Sequence, residues 1–372
     1  MKYYLVVGER SGDLHASNLM KALKKIDNQA EFRFFGGEQM QAIGGTLVKH
    51  YQEMAVMGFW EVLKNLRKIA TLLKFCKKDI LAYQPDVVIL VDFAGFNIRI
   101  AKFCKKNQIK NFYYISPKVW AWNTKRALKI KKNVDKMFVI FPFEKDFYKQ
   151  FGYEVDFVGN PLLDAIRSFE KNPTFLEENQ LASNKPIIAL LPGSRRAEVE
   201  NMLSLMLQVK PFFQDYQWVV AGVSNLPKSL YETCENLGVK VIYNQTYDLL
   251  AYAHSAVVTS GTATLETALF GVPQVVCYKT SNFSYQIAKR LIKVPFISLV
   301  NLVMNKKVLT ELIQNDLQEN NLKTELQKIV SGESREQILQ EYKLLQEKMG
   351  TAGASEVTAE KMFMYLNQST EK

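Results

Sequence analysis

Cysteine and histidine are scarce in this chain of 372 residues. The four cysteines are scattered without a Cys-x-x-Cys pair, and none of the three histidines has a ligand-type partner four residues further on. This pattern excludes a disulfide scaffold, fits a reducing compartment and predicts no metal site built from protein ligands.

Long apolar segments are absent as well. Runs such as Val87–Val91 and Ile187–Leu191 have the length of strands, well below the ~18 residues that span a bilayer. The N-terminal apolar stretch ends at Gly8, before it reaches the roughly 7–15 residues of a secretory signal. We therefore predict that residues 3–7 form a buried strand and that the protein is cytoplasmic.

The charge is unbalanced, because 48 lysines and arginines face 37 aspartates and glutamates, for a net charge of +11. A basic surface attracts nucleic acid, anionic lipid or phosphorylated substrates, although an ordinary lysine-rich soluble protein carries a similar charge. Since no recognition helix or RNA-stacking motif accompanies the charge, we expect no nucleic-acid partner.

Strand-like and helix-like segments alternate along the chain, which predicts an α/β fold. A polar stretch at 168–186 separates two such series. We expect two Rossmann-like doubly wound domains, at 1–165 and 166–345, and a helical tail at 346–372. Ligands of such sheets bind outside the carboxyl ends of the strands, so two domains in tandem predict a central cleft. The predicted strands are 3–7, 31–35, 87–91, 111–115 and 136–140 in the first domain, and 187–191, 218–221, 239–243, 256–259 and 274–278 in the second.

A glycine-containing loop, Gly8-Glu9-Arg10-Ser11-Gly12-Asp13, follows the first predicted strand. Glycines let the backbone approach a ligand, and the next helix offers free N–H groups. The spacing is not Gly-x-Gly-x-x-Gly, so it does not indicate a dinucleotide site. The loop is either a ligand-binding turn or an ordinary strand-to-helix turn.

A second loop, Pro192-Gly193-Ser194-Arg195-Arg196-Ala197-Glu198, follows the strand 187–191 and opens a helix. Gly193 and Ser194 can present backbone amides to a phosphate, and Arg195 adds a fork of donors that matches phosphate oxygens. The combination favours diphosphate binding over a solvated basic turn.

A third loop, Ser260-Gly261-Thr262-Ala263-Thr264-Leu265-Glu266, repeats this arrangement after the strand 256–259. Small residues open a helix whose N-terminus can hold a diphosphate. Glu266 lies about one turn into that helix, in a position to accept hydrogen bonds from a ribose diol. Two such loops in one domain predict that the second domain binds a nucleoside diphosphate.

Asp92 directly follows the β-branched run Val87–Val91 and precedes Phe93-Ala94-Gly95-Phe96-Asn97. A partly desolvated carboxylate at this end of a strand has a raised pKa and can act as a general base. An aspartate that caps the following helix is equally consistent with the position.

The segment Val56–Tyr83 combines a wide apolar helical stripe with interspersed lysines and arginines. An amphipathic helix facing the core is the ordinary interpretation. The apolar arc is broader than one face requires, and aromatic residues lie among cations, which is also typical of a helix at a membrane surface. The candidate membrane-contact residues are Met57, Phe59, Trp60, Leu63, Lys64 and Lys68.

Taken together, these segments resemble the lipid A disaccharide synthase family, bacterial glycosyltransferases of the GT-B architecture. The resemblance runs nearly from end to end, and the tryptophan-rich block and the Asp92 segment are specific to the family. The segments that carry it are Gly8–Asp13, Ala55–Leu63, Pro85–Asn97, Ser116–Trp122, Leu190–Arg195, Ser260–Glu266 and Ser298–Leu302.

The resemblance implies an inverting transfer of 2,3-diacylglucosamine from UDP-2,3-diacylglucosamine to the 6-hydroxyl of 2,3-diacylglucosamine 1-phosphate, called lipid X. The products are a β-1,6-linked lipid A disaccharide phosphate and UDP. No cofactor and no metal are expected. Both substrates carry acyl chains, so the family likeness also implies peripheral attachment to the anionic inner membrane, and a homodimer that exchanges C-terminal segments.

The same resemblance assigns roles to residues of this chain. Asp92 matches the proposed general base. The donor-site residues are Ser194, Arg195, Ser260, Gly261, Thr262, Glu266 and Asn301, and the acceptor or cleft residues are Ser11, Gly12, Asp13, Asn97, Lys118 and Trp120. One departure concerns Gly95, where the family commonly has a second aspartate; another is Arg10, where a smaller residue is usual.

Two other functions fit the same motifs. One is another UDP-sugar enzyme of GT-B type, such as a lipid-linked N-acetylglucosaminyl transferase or a UDP-sugar epimerase. The other is a non-catalytic nucleotide-binding adaptor at the membrane. Dependence of turnover on the acyl chains of the donor separates the first from the expected reaction, and loss of turnover on replacing Asp92 separates the second.

Overall fold

The computed structural model describes residues 1–54, 66–291 and 294–368. The chain forms two compact units, Met1–Asp164 with Thr351–Lys372, and Ala165–Gly350. Each unit contains one parallel sheet with helices on it. The predicted α/β class with two doubly wound sheets is therefore confirmed.

The sheet of the first unit has seven parallel strands in the order β3-β2-β1-β4-β5-β6-β7. Its central strand β4 is a run of five buried aliphatic residues, because helices cover both of its faces. The strands are β1 (Lys2–Val6), β2 (Glu31–Gly36), β3 (Thr46–His50), β4 (Val87–Val91), β5 (Asn111–Tyr114), β6 (Lys136–Val139) and β7 (Asp156–Phe157).

Side chains alternate between the two faces of this sheet and form two core clusters. Tyr4 belongs to the cluster under the helices Leu66–Tyr83 and Ala94–Lys106, whereas Tyr3 belongs to the cluster on the opposite face. The C-terminal helix Ala354–Asn367 adds side chains to this second cluster and packs on the first helix of the chain. The helices of this unit are Arg10–Ile26, Glu38–Ile43, Tyr51–Met54, Leu66–Tyr83, Ala94–Lys106, Val119–Trp122, Arg126–Asn133, Pro142–Lys149 and Ala354–Asn367.

The sheet of the second unit has six parallel strands in the order β10-β9-β8-β11-β12-β13. Strand β8 is again a buried aliphatic run. The strands are β8 (Ile187–Leu191), β9 (Gln217–Gly222), β10 (Lys240–Tyr243), β11 (Ala253–Thr259), β12 (Gln274–Tyr278) and β13 (Glu311–Ile313).

Helices connect these strands and continue beyond the last of them. The helix Pro161–Arg167 spans the boundary between the units. The α-helices of the second unit are Phe175–Glu178, Arg196–Leu207, Glu232–Asn236, Thr246–Tyr252, Thr262–Leu269, Asn282–Leu291, Leu299–Met304, Glu319–Val330 and Glu333–Met349, with 3₁₀ turns at Lys210–Phe212, Lys228–Tyr231 and Gln314–Asp316.

Both sheets reverse their strand order once, between β1 and β4 in the first unit and between β8 and β11 in the second. Loops that leave two such neighbouring strands diverge and open a crevice at the carboxyl edge, where ligands of doubly wound sheets bind. All four loops singled out in the sequence follow one of these four strands. The topology thus brings these four loops to one crevice in each unit.

Three strands were not predicted from the sequence: β3, β7 and β13. All three lie at the edge of a sheet, and none is fully buried along its length. In the parts of the chain that are described, no helix is long and apolar enough to cross a membrane.

Candidate functional site

The loop after β4 places Asp92 at the carboxyl edge of the first sheet. Asp92 and Phe93 both have left-handed backbone conformations, with φ of 43° and 49°. The carbonyl oxygen of Asp92 accepts hydrogen bonds from Asn97 Nδ2 (2.9 Å) and from the hydroxyl of Tyr113. The capping position of the following helix is Phe93, whose side chain makes no capping hydrogen bond. Asp92 lies one residue before that position and does not occupy it.

The surroundings of Asp92 hold its pKa close to neutrality. Burial raises the pKa to about 6 and the charge of Glu9 adds to the increase, while Lys118 and the backbone N–H of Phe93 oppose it. A carboxyl group with this pKa is ionised at neutral pH and still basic enough to accept a proton from a hydroxyl. The arrangement suits a general base.

Asn97 lies beneath this loop, fully buried. Its side-chain amide donates hydrogen bonds to the carbonyl oxygens of Val6 (3.2 Å), Val91 (3.1 Å) and Asp92 (2.9 Å). The amide thus joins the ends of β1 and β4. Its contacts are with the backbone that supports Asp92.

The loop after β1 is shaped by close packing. A Cβ atom on Gly8 would lie 2.2 Å from the ring of Phe93, and one on Gly12 would lie 2.8 Å from Val7. Only glycine fits at these two positions without displacing a neighbour. The first loop therefore lies directly against the Asp92 loop.

Ser11 and Asp13 differ in exposure. Ser11 is exposed and donates its hydroxyl to Glu9 (3.0 Å). Asp13 is buried and accepts from the backbone N–H groups of Gly37 (2.7 Å), Gln39 (3.0 Å) and Met40 (3.3 Å). Asp13 thus caps the helix Glu38–Ile43, and Ser11 faces solvent.

Lys118 and Trp120 follow β5, at the capping position and within the short helix Val119–Trp122. Lys118 is exposed and close enough to influence Asp92 electrostatically. Trp120 is buried and donates its indole N–H to Glu144 (3.1 Å). The structure thus places the lysine, but not the indole, where a ligand can reach it from solvent.

Glu144 was not recognised from the sequence. It is buried, and burial raises its pKa to about 7. It also accepts from the backbone N–H groups of Phe141 (3.0 Å) and Ile140 (3.2 Å). A glutamate three residues after the helix cap is one half of a capping-box signal, but the cap here is Phe141 and not Ser, Thr, Asp or Asn, so the sequence signature is incomplete.

The loop after β8 differs from the expectation in one respect. The backbone N–H groups of Ser194 (2.9 Å) and Arg195 (3.1 Å) both donate to Glu198 Oε2. Gly193 has φ of 117°, and a Cβ there would lie 2.5 Å from Glu198. A carboxylate of the chain itself therefore occupies the amide of Ser194, which was expected to face a phosphate, together with the amide of Arg195.

The side chain of Arg195 remains available. It is 78% exposed, and its contact with Glu198 is long, at 3.5 Å. An ion pair of this exposure contributes little to stability and exchanges readily with another anion.

The loop after β11 is more open. Ser260 donates its hydroxyl to the carbonyl oxygen of Ile297 (2.8 Å), Gly261 is extended, and Thr262 is exposed at the start of the helix Thr262–Leu269. A Cβ on Gly261 would meet nothing within 4 Å. The N-terminus of this helix therefore has space for an anion in front of it.

Glu266 lies one turn into that helix and is half-buried. Burial raises the pKa of its carboxyl group, and a hydrogen bond from the hydroxyl of Tyr247 (3.0 Å to Oε1) opposes the increase. Tyr247 was not recognised from the sequence, because it lies on a different helix, Thr246–Tyr252.

Asn301 is buried, and its side chain is fully used by the protein. Its Oδ1 accepts from the N–H groups of Val308 and Leu309, both at 2.8 Å, and its Nδ2 donates to Leu309 (3.0 Å) and Glu311 (2.9 Å). These four bonds exhaust the capacity of a side-chain amide. Asn301 is thus engaged in holding the segment after its helix.

Most of the expected membrane-contact residues, namely Met57, Phe59, Trp60, Leu63 and Lys64, lie outside the described residues. Lys68 is described and is exposed on the helix Leu66–Tyr83. Within the described ranges, no group of three or more histidine, cysteine, aspartate or glutamate side chains is placed to hold a metal ion.

Solved structures similar to this chain share its fold at low sequence identity. The UDP-GlcNAc 2-epimerase of Neisseria meningitidis bound to UDP-GlcNAc aligns with a TM-score of 0.67 and 13% identity, over 98% of this chain and 100% of that one. The glycotransferase of kitacinnamycin aligns with a TM-score of 0.68 and 12% identity, over 98% and 99%. These likenesses place the chain in the GT-B fold.

Sequence relatives are closer. The lipid-A-disaccharide synthase of Syntrophus aciditrophicus (strain SB) is 40% identical over 364 residues, 95% of each chain. That of Geobacter sulfurreducens is 35% identical over 368 residues, 95% of this chain and 94% of the relative. A family model described as lipid-A-disaccharide synthetase matches residues 3–363. The chain belongs to the lipid-A-disaccharide synthase family.

Proposed function

We infer that this chain is a lipid-A-disaccharide synthase, a glycosyltransferase of lipid A biosynthesis that uses UDP-2,3-diacylglucosamine as donor and lipid X as acceptor. Family membership over nearly the whole chain supports the reaction. The mechanism rests on the environment of Asp92. The pKa of this residue is raised to about 6, and its loop follows β4 at the point where the strand order reverses.

Asp92 acts as the general base. Its carboxylate accepts the proton of the acceptor 6-hydroxyl as that oxygen attacks the anomeric carbon of the donor. The bond between the anomeric carbon and the diphosphate oxygen breaks on the opposite face, and UDP leaves with the electron pair. One displacement inverts the anomeric centre, so the α-linked donor gives a β-1,6 linkage.

The second unit holds the UDP group. Arg195 and the open helix N-terminus at Gly261 and Thr262 bind the diphosphate and stabilise the charge that develops on it. Ser194 and Ser260 are the other proposed donor-site residues of these two loops. Glu266 accepts hydrogen bonds from the ribose hydroxyls.

Asn97, Asp13 and Asn301 are buried, and we infer that they hold the backbone around the proposed site in place. Asn97 fixes the carbonyl oxygen of Asp92, and Asp13 fixes the helix next to the first loop. Asn301 bonds to Glu311, whose carboxylate also accepts the backbone N–H groups of Ile297 (3.0 Å) and Ser298 (2.9 Å). Ser11 and Lys118, which are exposed, are the better candidates for contact with the acceptor.

The acylated substrates require a lipid surface, and one face of the first unit suits it. The helices Leu66–Tyr83, Ala94–Lys106 and Arg126–Asn133 pack on the same core cluster. They carry thirteen lysines and arginines and one aspartate, so this basic face holds more positive charge than the net charge of the whole chain. We propose that the basic face, which includes the exposed Lys68, meets the anionic head groups of the inner membrane.

A homodimer formed by exchange of C-terminal segments is part of the proposal. The helix Ala354–Asn367 packs on Arg10–Ile26 within one chain. Exchange would reproduce the same contacts between two chains. Light scattering at several concentrations measures the mass, and a mass of one chain throughout contradicts the dimer.

The proposed reaction is tested with purified enzyme and lipid X. We expect the acylated UDP-glucosamine donor to give a disaccharide phosphate, and unacylated UDP-GlcNAc to give none. Conversion of UDP-GlcNAc to its C2 epimer without an acceptor would instead support the epimerase alternative, to which the fold is also similar.

A further inference from the structure

Tyr247 connects two elements of the second unit. It lies in the first turn of the helix Thr246–Tyr252, and its hydroxyl donates a hydrogen bond of 3.0 Å to Oε1 of Glu266 on the helix Thr262–Leu269. Among the residues that the structure describes, it alone donates a hydrogen bond to this carboxylate.

The ring of Tyr247 is held by two other aromatic side chains. Phe169 contacts it edge-on, with ring centroids 5.6 Å apart at 89°, and Phe270 lies 5.1 Å away at 56°. Phe169 and Phe270 also contact each other at 5.5 Å. Edge-to-face packing of this kind restricts the ring, so the direction of the hydroxyl is set before any ligand arrives.

The hydrogen bond has a consequence for Glu266. A half-buried carboxylate is costly unless its charge is compensated, and a single donor engages only one of its two oxygens. Oε2 of Glu266 is left to accept a hydrogen bond from a hydroxyl group of a ligand. The side chain is thereby fixed in one orientation without being saturated.

We propose that Tyr247 is a positioning residue that holds Glu266 for the diol of a ribonucleoside diphosphate and so makes the donor site selective for ribose over deoxyribose. This rests on the proposed role of Glu266 at the ribose. The selectivity arises because a carboxylate held in place loses a hydrogen-bond partner when a ligand lacks the 2′-hydroxyl.

The experiment measures the affinity of the full chain for UDP and for 2′-deoxy-UDP by titration calorimetry. We expect wild type to prefer UDP, and Tyr247→Phe to bind UDP about fivefold more weakly while its affinity for 2′-deoxy-UDP changes less. The donor KM rises in this variant and kcat is retained, since Tyr247 does not touch the reacting atoms. The ring contacts remain but the half-buried carboxylate loses its donor, so we expect the melting temperature to fall by only a few degrees.

Tyr252→Phe is the matched control. It removes a hydroxyl from the same helix, one that donates to the carbonyl oxygen of Asn172 (2.9 Å) rather than to Glu266. We expect it to keep the wild-type preference between the two nucleotides.

Glu266→Gln separates the two ideas. If Glu266→Gln abolishes the preference for UDP and Tyr247→Phe leaves it intact, the positioning role of Tyr247 is wrong and the ribose role of Glu266 stands. If Glu266→Gln also leaves the preference intact, the ribose role itself is wrong, and the proposal for Tyr247 ends with it.

Discussion

Asp92 is a residue whose charge is opposed by its surroundings. Burial and the nearby charge of Glu9 both favour the protonated form, and Lys118 only partly offsets them. The left-handed backbone at two successive residues adds local strain, which the bonds from Asn97 and Tyr113 restrain. The loop thus holds a carboxylate in a strained conformation and with a pKa above the one it would have in water.

The value of kcat/KM should depend on pH through the ionisation of Asp92. A general base must be deprotonated, and the folded pKa of Asp92 is about 6, above the ordinary value of about 4. We expect kcat/KM to be full above pH 7 and to fall about tenfold for each pH unit well below 6. A rate profile between pH 4.5 and 8.5 measures this. An acid limb centred near pH 4 would contradict the assignment of the pKa to this half-buried carboxylate.

A substitution at Gly95 should change the pKa of Asp92. This glycine is exposed in the first turn of its helix, and a Cβ there would meet nothing within 4 Å. Gly95→Asp therefore folds, and its negative charge near the helix N-terminus is favourable. The new charge also disfavours ionisation of Asp92, so we expect the acid limb of the rate profile to move to higher pH. Gly95→Asn, which adds similar bulk without charge, should leave the limb in place.

Among the elements, the loop after β8 differs most from what its sequence suggests. Glu198 occupies the amides of Ser194 and Arg195, so a diphosphate that uses these amides has to displace a negative charge. The same carboxylate also caps the helix Arg196–Leu207. Under the proposed donor role of this loop, diphosphate binding and helix capping compete for the same N–H groups.

This competition predicts that Glu198→Gln tightens UDP binding. Glutamine keeps an oxygen that accepts the N–H groups but no longer repels the diphosphate, and we expect a gain of about fivefold in affinity. Glu200→Gln is the matched control, because Glu200 pairs with Arg196 (2.7 Å) on the same helix and makes the same change in net charge. Equal gains in the two variants would mean that net charge, and not the loop, determines the affinity.

The central strands of the two sheets could be predicted from the sequence because their amino-acid composition indicates that they are buried. β4 and β8 are continuous β-branched and aliphatic runs of strand length, the pattern that a strand covered on both faces produces. β3, β7 and β13 are edge strands with mixed, half-exposed residues, and their pairing depends on neighbours far along the chain.

The same distinction applies to the site. Asp92 and the glycine loops could be found because each follows a recognisable strand. The internal bonds of Asn301 could not, since its partners become neighbours only when the segment 305–311 folds back. Tyr247 lies nineteen residues before the carboxylate that it contacts.

At the scale of the whole molecule, charge is distributed unevenly. The basic face concentrates the positive charge on three helices, whereas the rest of the chain is nearly balanced. Each basic residue near an anionic bilayer contributes on the order of 1 kcal/mol, so a cluster of this size is sufficient for reversible attachment.

We expect the protein to co-sediment with vesicles that contain anionic phospholipid and to be released as salt is increased. Replacing Lys102, Lys129 and Lys132, all exposed on the basic face, with glutamate should abolish this binding. Replacing Lys228, Lys240 and Lys343 on the second unit makes the same change in net charge and should weaken binding much less. Equal losses in the two triple variants would reject the basic face as the attachment surface.

The most direct test of the account compares Asp92→Asn with Arg195→Ala, one from each unit, for disaccharide synthesis and for UDP affinity. We expect Asp92→Asn to lose at least about a hundredfold in kcat while binding UDP as wild type does. Its melting temperature at pH 8 should be no lower than that of wild type, because a half-buried charge with a raised pKa has been removed. Arg195→Ala should bind UDP more weakly. Disaccharide synthesis at the wild-type rate by Asp92→Asn would contradict the account.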